Sequence, residues 1–154
     1  MSTDQSELEY AGFWIRVAAS LIDSILVLLV AVPLMLAFVG PTYWTDTRLV
    51  KGGFGLLVEW LLPAIGVLAF WIAKGATPGK MAISARIVDA TTGQPPGTGQ
   101  LVIRYCGYYL SMLPMFLGFI WVAFDRRKQG WHDKLANTVV VRRHGPEPVR
   151  FDAG

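Results

Sequence analysis

Cysteine occurs once, at Cys106, and histidine twice. One thiol closes no disulfide within the chain, and so few donors assemble neither a thiolate metal site nor a His-rich ligand set. Metal and cofactor are therefore not expected, although His132-Asp133 and His144 are the candidates to check. Charge is scarce as well: 16% of residues are Asp, Glu, Lys or Arg, against 53% hydrophobic. Soluble domains carry about a quarter charged residues, so the balance excludes an ordinary water-soluble globule. A nucleotide loop is missing too. The stretch Lys74-Gly75-Ala76-Thr77-Pro78-Gly79-Lys80 has three residues between its glycines and Met81 after its lysine, where a P-loop needs four and then Ser or Thr. With no nucleophile beside a base, an enzyme is not expected. The net charge of +3 needs no nucleic-acid partner, because cytoplasmic loops of membrane proteins collect Lys and Arg.

What the chain does have is long apolar runs. Residues 12–39 exceed the roughly 20 residues a helix needs to cross a bilayer, yet carry Arg16 and Asp23. The preceding segment is acidic, with Asp4, Glu7 and Glu9, and lacks the basic start of a secretory signal, so the first span is expected to be retained. At about 100° per residue Arg16, Ser20 and Asp23 share one helix face. About 10 Å of helix separates Arg16 from Asp23, so each charge needs a partner elsewhere. If the span starts near Phe13, Asp23 lies about 15 Å deep, near the midplane of a core about 30 Å thick. An acid there is either a neutral carboxyl hydrogen-bonded across an interface or a titrating site.

A polar loop over residues 40–53 leads to a second apolar segment, residues 54–73, with Trp60 and Trp71 near its ends and Glu59 about one turn in. The two spans make a hairpin. Pro63 is expected to kink the second without ending it. Residues 81–88 alternate and read as a strand ending in a turn at Thr92-Gly93, and residues 94–100 as a flexible connection. A third apolar segment, residues 105–124, is divided at Pro114. Basic residues flank it on both sides: Lys74, Lys80, Arg86 and Arg104 before, Arg126, Arg127, Lys128 and Lys134 after. A single crossing would put one set outside, whereas a re-entrant pair of half-helices keeps both inside. Charge favours re-entrance; a spanning helix is the alternative. After it come a short interfacial helix at Trp131 and a β-branched strand over residues 138–141, which can pair with residues 81–88 in a small cytoplasmic sheet.

Three stretches, in this order, carry a resemblance: GFWIRVAASLID, GATPGKMAISARIVD and DRRKQGWHDKLANTVVV. Together they resemble the RDD family of bacterial membrane proteins, named for an arginine and two aspartates. The resemblance implies that Arg16 and Asp23 are the first two of these and Asp133 the third, with Asp125 as the alternative. It also implies an inner (plasma) membrane location and, by suggestion only, ion transport. The expected architecture is an all-α membrane protein: two transmembrane helices, a third Pro-broken segment and a short cytoplasmic β element. Residues 1–9 form a polar tail, 10–142 the membrane domain and 143–154 a flexible tail, with both termini cytoplasmic.

Two functions fit. One is an oligomeric transporter of a small ion or proton with Asp23 as its working group, since two spans per chain do not enclose a polar path alone. The other is a membrane assembly protein in which Arg16, Asp23 and a tail aspartate fix the packing. Either way the partners are the lipid bilayer and further copies of the chain. Arg16 and Asp133 are expected to form a charge-assisted pair; Ser20, Glu59 and Asp125 are secondary candidates.

Overall fold

A computed structural model of the chain describes residues 8–38, 40–48 and 51–143. The acidic head up to residue 7 and the expected tail beyond residue 143, with His144, lie outside the described residues. Strand β1 (Leu8–Tyr10) leads into helix α1 (Phe13–Phe38). A short α2 (Thr42–Thr45) follows, then a helical run made of α3 (Gly52–Leu56), a π turn (Leu57–Leu61) and α4 (Leu62–Lys74). Next come α5 (Pro78–Ala82), β2 (Ala85–Asp89), α6 (Thr98–Met112) and α7 (Leu117–Ile120) with a 3-10 turn (Trp121–Ala123). The described chain closes with α8 (Trp131–Leu135) and β3 (Thr138–Arg143). It is mostly helical, and two of its segments, α1 and the run through α3 and α4, are long and apolar enough to cross a membrane.

Those two segments are coated with exposed apolar side chains. Ile25, Leu26, Val27, Leu28, Leu29 and Val30 on α1 are all exposed, and six consecutive residues go round more than a full turn. A helix apolar on every side has to be covered by lipid or by other helices. Pro63 does not end the second segment, as expected. It has no N–H to give to the preceding turn, and the π turn directly before it absorbs the resulting mismatch.

Three strands form one antiparallel sheet in the order β1-β3-β2. β3 is central because its Thr-Val-Val-Val run suits a strand buried on both faces; Thr138 to Val141 are fully buried. Val139 and Val141 meet Leu8, Val88 and Ala90 on one face, and Val140 meets Ala11, Trp71, Ala85, Ile87 and Leu101 on the other. The expected pairing of the two later strands is therefore present, in a register joining Ile87 to Val140. A third strand, β1, adds the end of what reads as a polar tail, with Glu9 bonded to Arg142 across the pair.

Two expectations need correction. Residues 81–88 are not one strand: Met81 and Ala82 finish α5, the chain turns at Ser84 with φ 57°, and β2 starts at Ala85. Nor is 94–100 a free connection, since α6 begins at Thr98, with the Gln100 side chain accepting from the Gly97 N–H at 2.9 Å. The turn near Thr92-Gly93 is where expected, built by the Asp89 carboxylate accepting the Thr91 and Thr92 N–H groups at 2.8 Å.

At Pro114 the third apolar segment bends by 112°. β2 enters this segment and β3 follows it, and the two are hydrogen-bonded neighbours. The strands that bracket the segment are thus neighbours in one sheet.

Leu101 is 1% exposed and Leu113 79%. Leu101→Ala should cost about 2–5 kcal/mol and Leu113→Ala less than about 0.5 kcal/mol, as read by unfolding of the purified protein in detergent.

Candidate functional site

The geometry begins with α6. Leu101, Arg104, Gly107 and Ser111 recur at helical spacing and are its buried residues. Leu101 faces the sheet while Arg104, Gly107 and Ser111 face α8, and the approach is close: a Cβ on Gly107 would stand 2.8 Å from the His132 Cα. This contact carries Arg104 to Asp133. Asp133 occupies the third position of α8, where its Oδ2 accepts the Gly130 N–H at 3.0 Å, a helix-start cap.

Arg16, in the first turns of α1, reaches the same carboxylate. Its Nη1 donates to Asp133 Oδ2 at 2.5 Å, its Nη2 to the Lys128 carbonyl at 2.5 Å and its Nε to the Ala11 carbonyl at 3.0 Å. Arg104 donates from Nη1 to Asp133 Oδ1 and, at 2.9 Å, to Thr138 Oγ1. Asp133 and Arg104 are wholly buried, and Arg16 nearly so. The Arg104 guanidinium lies 5.3 Å from the Trp71 ring centre and 5.8 Å from that of Tyr108, within cation–π range.

Burial opposes ionisation of Asp133, but the Arg104 charge and then the Arg16 charge outweigh it and hold the carboxyl well below the usual carboxylate range. His132 responds the other way. Burial, above all, pushes it down to about 3, with Arg104, Arg16 and Lys80 adding to the fall and Asp133 opposing it. The neutral ring has Nδ1 3.2 Å from Ser111 Oγ and Nε2 3.5 Å from Asp133 Oδ2. A proton on Nε2 suits both neighbours, leaving Nδ1 to accept from the hydroxyl.

Asp23 belongs to a second, adjacent cluster. Its Oδ2 accepts from Thr77 Oγ1 at 2.5 Å and its Oδ1 from the Gly79 N–H at 2.6 Å, so it caps the start of α5 from another helix. Glycine is required at 79: a Cβ there would collide with the Ala19 carbonyl and come within 2.8 Å of the Asp23 Cγ. The sequence count that puts Asp23 at mid-depth takes the span to start at Phe13. In the structure the first turns of α1 pack against α5 and the loop before α8, so Asp23 stands at the edge of the polar layer.

The structure thus brings Arg16 and Asp133 together and sets Asp23 apart. Asp125 lies outside the pair, accepting from Lys134 at 2.5 Å and from the Arg127 N–H at 3.0 Å. Ser20 is exposed. Glu59 pairs with Lys51 at 3.1 Å in an open cleft of about 450 Å³ whose lining includes Asp46, Trp60 and Tyr109. Reading the sequence missed Arg104, Tyr108, Thr77 and Lys80. The signal for Arg104 was its helical alignment with Gly107 and Ser111, small residues that open a face to a neighbouring element.

Asp133→Asn leaves two buried guanidiniums without a counter-charge and should cost about 3–5 kcal/mol, against less than about 1 kcal/mol for the more exposed Asp125→Asn; unfolding midpoints in detergent check both. Between pH 6.5 and about 3 the unfolded chain binds a proton at His132 that the folded chain refuses. Stability should therefore fall as pH drops through that window, by up to about 1.4 kcal/mol per pH unit. The Asp133 contribution is intact above the ordinary carboxylate pKa and is lost only as pH falls below it. A pH series of unfolding midpoints, flatter in His132→Gln, tests the window.

The RDD family pattern matches residues 10–137. The "Proline-rich antigen homolog" of Mycobacterium tuberculosis (strain CDC 1551 / Oshkosh) is 34% identical over 95 residues, covering 56% of this chain and 39% of that protein. The "Uncharacterized protein RP437" of Rickettsia prowazekii is 36% identical over 75 residues, 49% of this chain and 41% of that one. "Uncharacterized protein YxaI" of Bacillus subtilis is 30% identical over 149 residues, 85% of this chain and 96% of that one. This chain therefore spans about two fifths of the mycobacterial and rickettsial proteins and nearly all of the Bacillus one. No solved structure matches. With the family pattern covering most of its length, the chain belongs to the RDD family.

Proposed function

We propose that this RDD protein is a multi-pass protein of the bacterial inner (plasma) membrane that acts by assembly rather than by catalysis, as a homo-oligomer. One observation carries the reading: Arg16, Asp23 and Asp133 spend their hydrogen-bonding capacity joining elements. Asp23 caps α5 and Asp133 holds α1 and α6. Polar groups paired in this way fix packing without moving anything.

The sheet supports the topology. β1 precedes α1, β2 follows α4, and β3 follows the bent segment, yet all three are neighbours. Two crossings plus a re-entrant pair of half-helices satisfy that arrangement, with both termini and the sheet on the cytoplasmic side, where the basic residues belong. About 22 Å of α1 remains beyond Asp23 at about 1.5 Å per residue. This is shorter than a hydrocarbon core of about 30 Å, so the polar layer is let into the membrane boundary. The apolar surface of α1 and α4 then meets lipid and further copies.

Transport of a proton or small ion is the second reading, favoured by Asp23 remaining partly exposed on a helix that is otherwise apolar beyond it. Asp23→Asn separates the two. Asparagine can still accept the Gly79 N–H and donate to Thr77 Oγ1, whereas Asp23→Leu strands both donors at about 1–3 kcal/mol each. Assembly predicts no proton or sodium flux from wild-type proteoliposomes, one oligomer size by light scattering for wild type and Asp23→Asn, and a less stable Asp23→Leu. Flux in wild type that vanishes in a well-assembled Asp23→Asn would overturn it in favour of transport.

A further inference from the structure

The Arg104 guanidinium is only half used. Nη1 serves Asp133 and Thr138, while Nε and Nη2, both buried, have no hydrogen-bond partner among the described residues. Nε and Nη2 together form the side-on edge with which arginine grips a carboxylate or phosphate through two parallel bonds. A third buried donor without a partner, Trp71 Nε1, belongs to the indole against which this guanidinium rests. Buried polar groups in folded proteins are almost always satisfied, so three neighbouring orphans, all donors, call for an acceptor.

Charge says what kind. Lys80 is 9% exposed and makes no hydrogen bond or ion pair with a described residue. Its charge is felt at His132, which already faces Arg104 and Arg16. Two guanidiniums share one carboxylate, Asp133, whose oxygens are taken, while Lys80 and Arg104 both act on the neutral, buried Tyr108 hydroxyl; the Asp23 oxygens are engaged by Thr77 and Gly79. His132 is neutral. A water would satisfy a donor but leave this excess charge uncompensated, whereas an oxyanion does both.

We infer that Arg104 Nε and Nη2, Trp71 Nε1 and Lys80 form a binding site for a phosphate-type oxyanion, entered past Lys80 between α4, α5 and α6. The site goes beyond the assembly reading and does not depend on it. Two sources supply the same chemistry, a free phosphate and the headgroup phosphate of a lipid lying against the polar layer.

Thermal unfolding of the full-length protein in non-ionic detergent, followed by circular dichroism, distinguishes them. One arm titrates inorganic phosphate against chloride at equal ionic strength; the other titrates short-chain phosphatidylglycerol. Each is repeated with Lys80→Met and with Trp71→Phe, which removes one donor and keeps a ring. The expected result is a saturable rise in the unfolding midpoint with at least one ligand, its half-point shifted about tenfold or more in Lys80→Met and less in Trp71→Phe. Without ligand, Lys80→Met should be at least as stable as wild type, since it removes an unpaired buried cation. A response to phosphate makes the site one for a soluble anion, and a response confined to the lipid makes it a headgroup site. No saturable rise with either ligand, or the same half-point in wild type and both variants, overturns the proposal and leaves water as the acceptor.

Discussion

The structure depends on one buried carboxylate. Asp133 stands between two guanidiniums that come from different helices, Arg16 from α1 and Arg104 from α6, and is itself fixed at the start of α8. Removing charges from water costs several kcal/mol per ion, and such a pair breaks even only when geometry and extra hydrogen bonds are good. Here the extra bonds are present: Arg16 also meets two backbone carbonyls, and Arg104 meets Thr138. Because each partner sits on a different element, satisfying the charges sets where α1 and α6 lie relative to the sheet. Apolar contact alone would leave that choice loose, since the outer parts of both long segments have little of their own chain to pack on.

Around this carboxylate the chain builds a polar layer that joins the long apolar segments. The sheet joins the strand before α1, the strand after α4 and the strand that follows the bent segment and α8, and Asp23 ties α1 to the turn that follows α4. Gly79 and Gly107 permit the close approach of α5 to α1 and of α6 to α8.

Much of this was legible in the sequence, for physical reasons. The long segments announce themselves because bilayer thickness sets a length that few other structures need. Arg16 and Asp133 could be paired in advance because a charge at a membrane edge requires an opposite one. Other parts depend on tertiary context. β1 is three residues in an acidic stretch, and it is a strand only because β3 offers an edge. α5 reads as the start of a strand because a few alternating residues fit either period; the Asp23 cap, distant in sequence, decides for helix. The contact of Asp23 with Thr77 and Gly79 was not legible either, because a count along one helix does not register that a neighbouring turn packs beside it. Arg104 escaped notice because flanking charges were weighed for topology, while its burial follows from a helix face that only α8 completes.

The central claim is that the Asp133 carboxylate couples α1 to the sheet layer energetically as well as geometrically. A double-mutant cycle over Arg16→Gln and Asp133→Asn, read from unfolding free energies in detergent, isolates that coupling. The account predicts an interaction of about 1 kcal/mol or more, with the double variant less damaged than the two single effects together imply. Additivity within about 0.5 kcal/mol would contradict it and reduce the pair to two charges that happen to lie side by side.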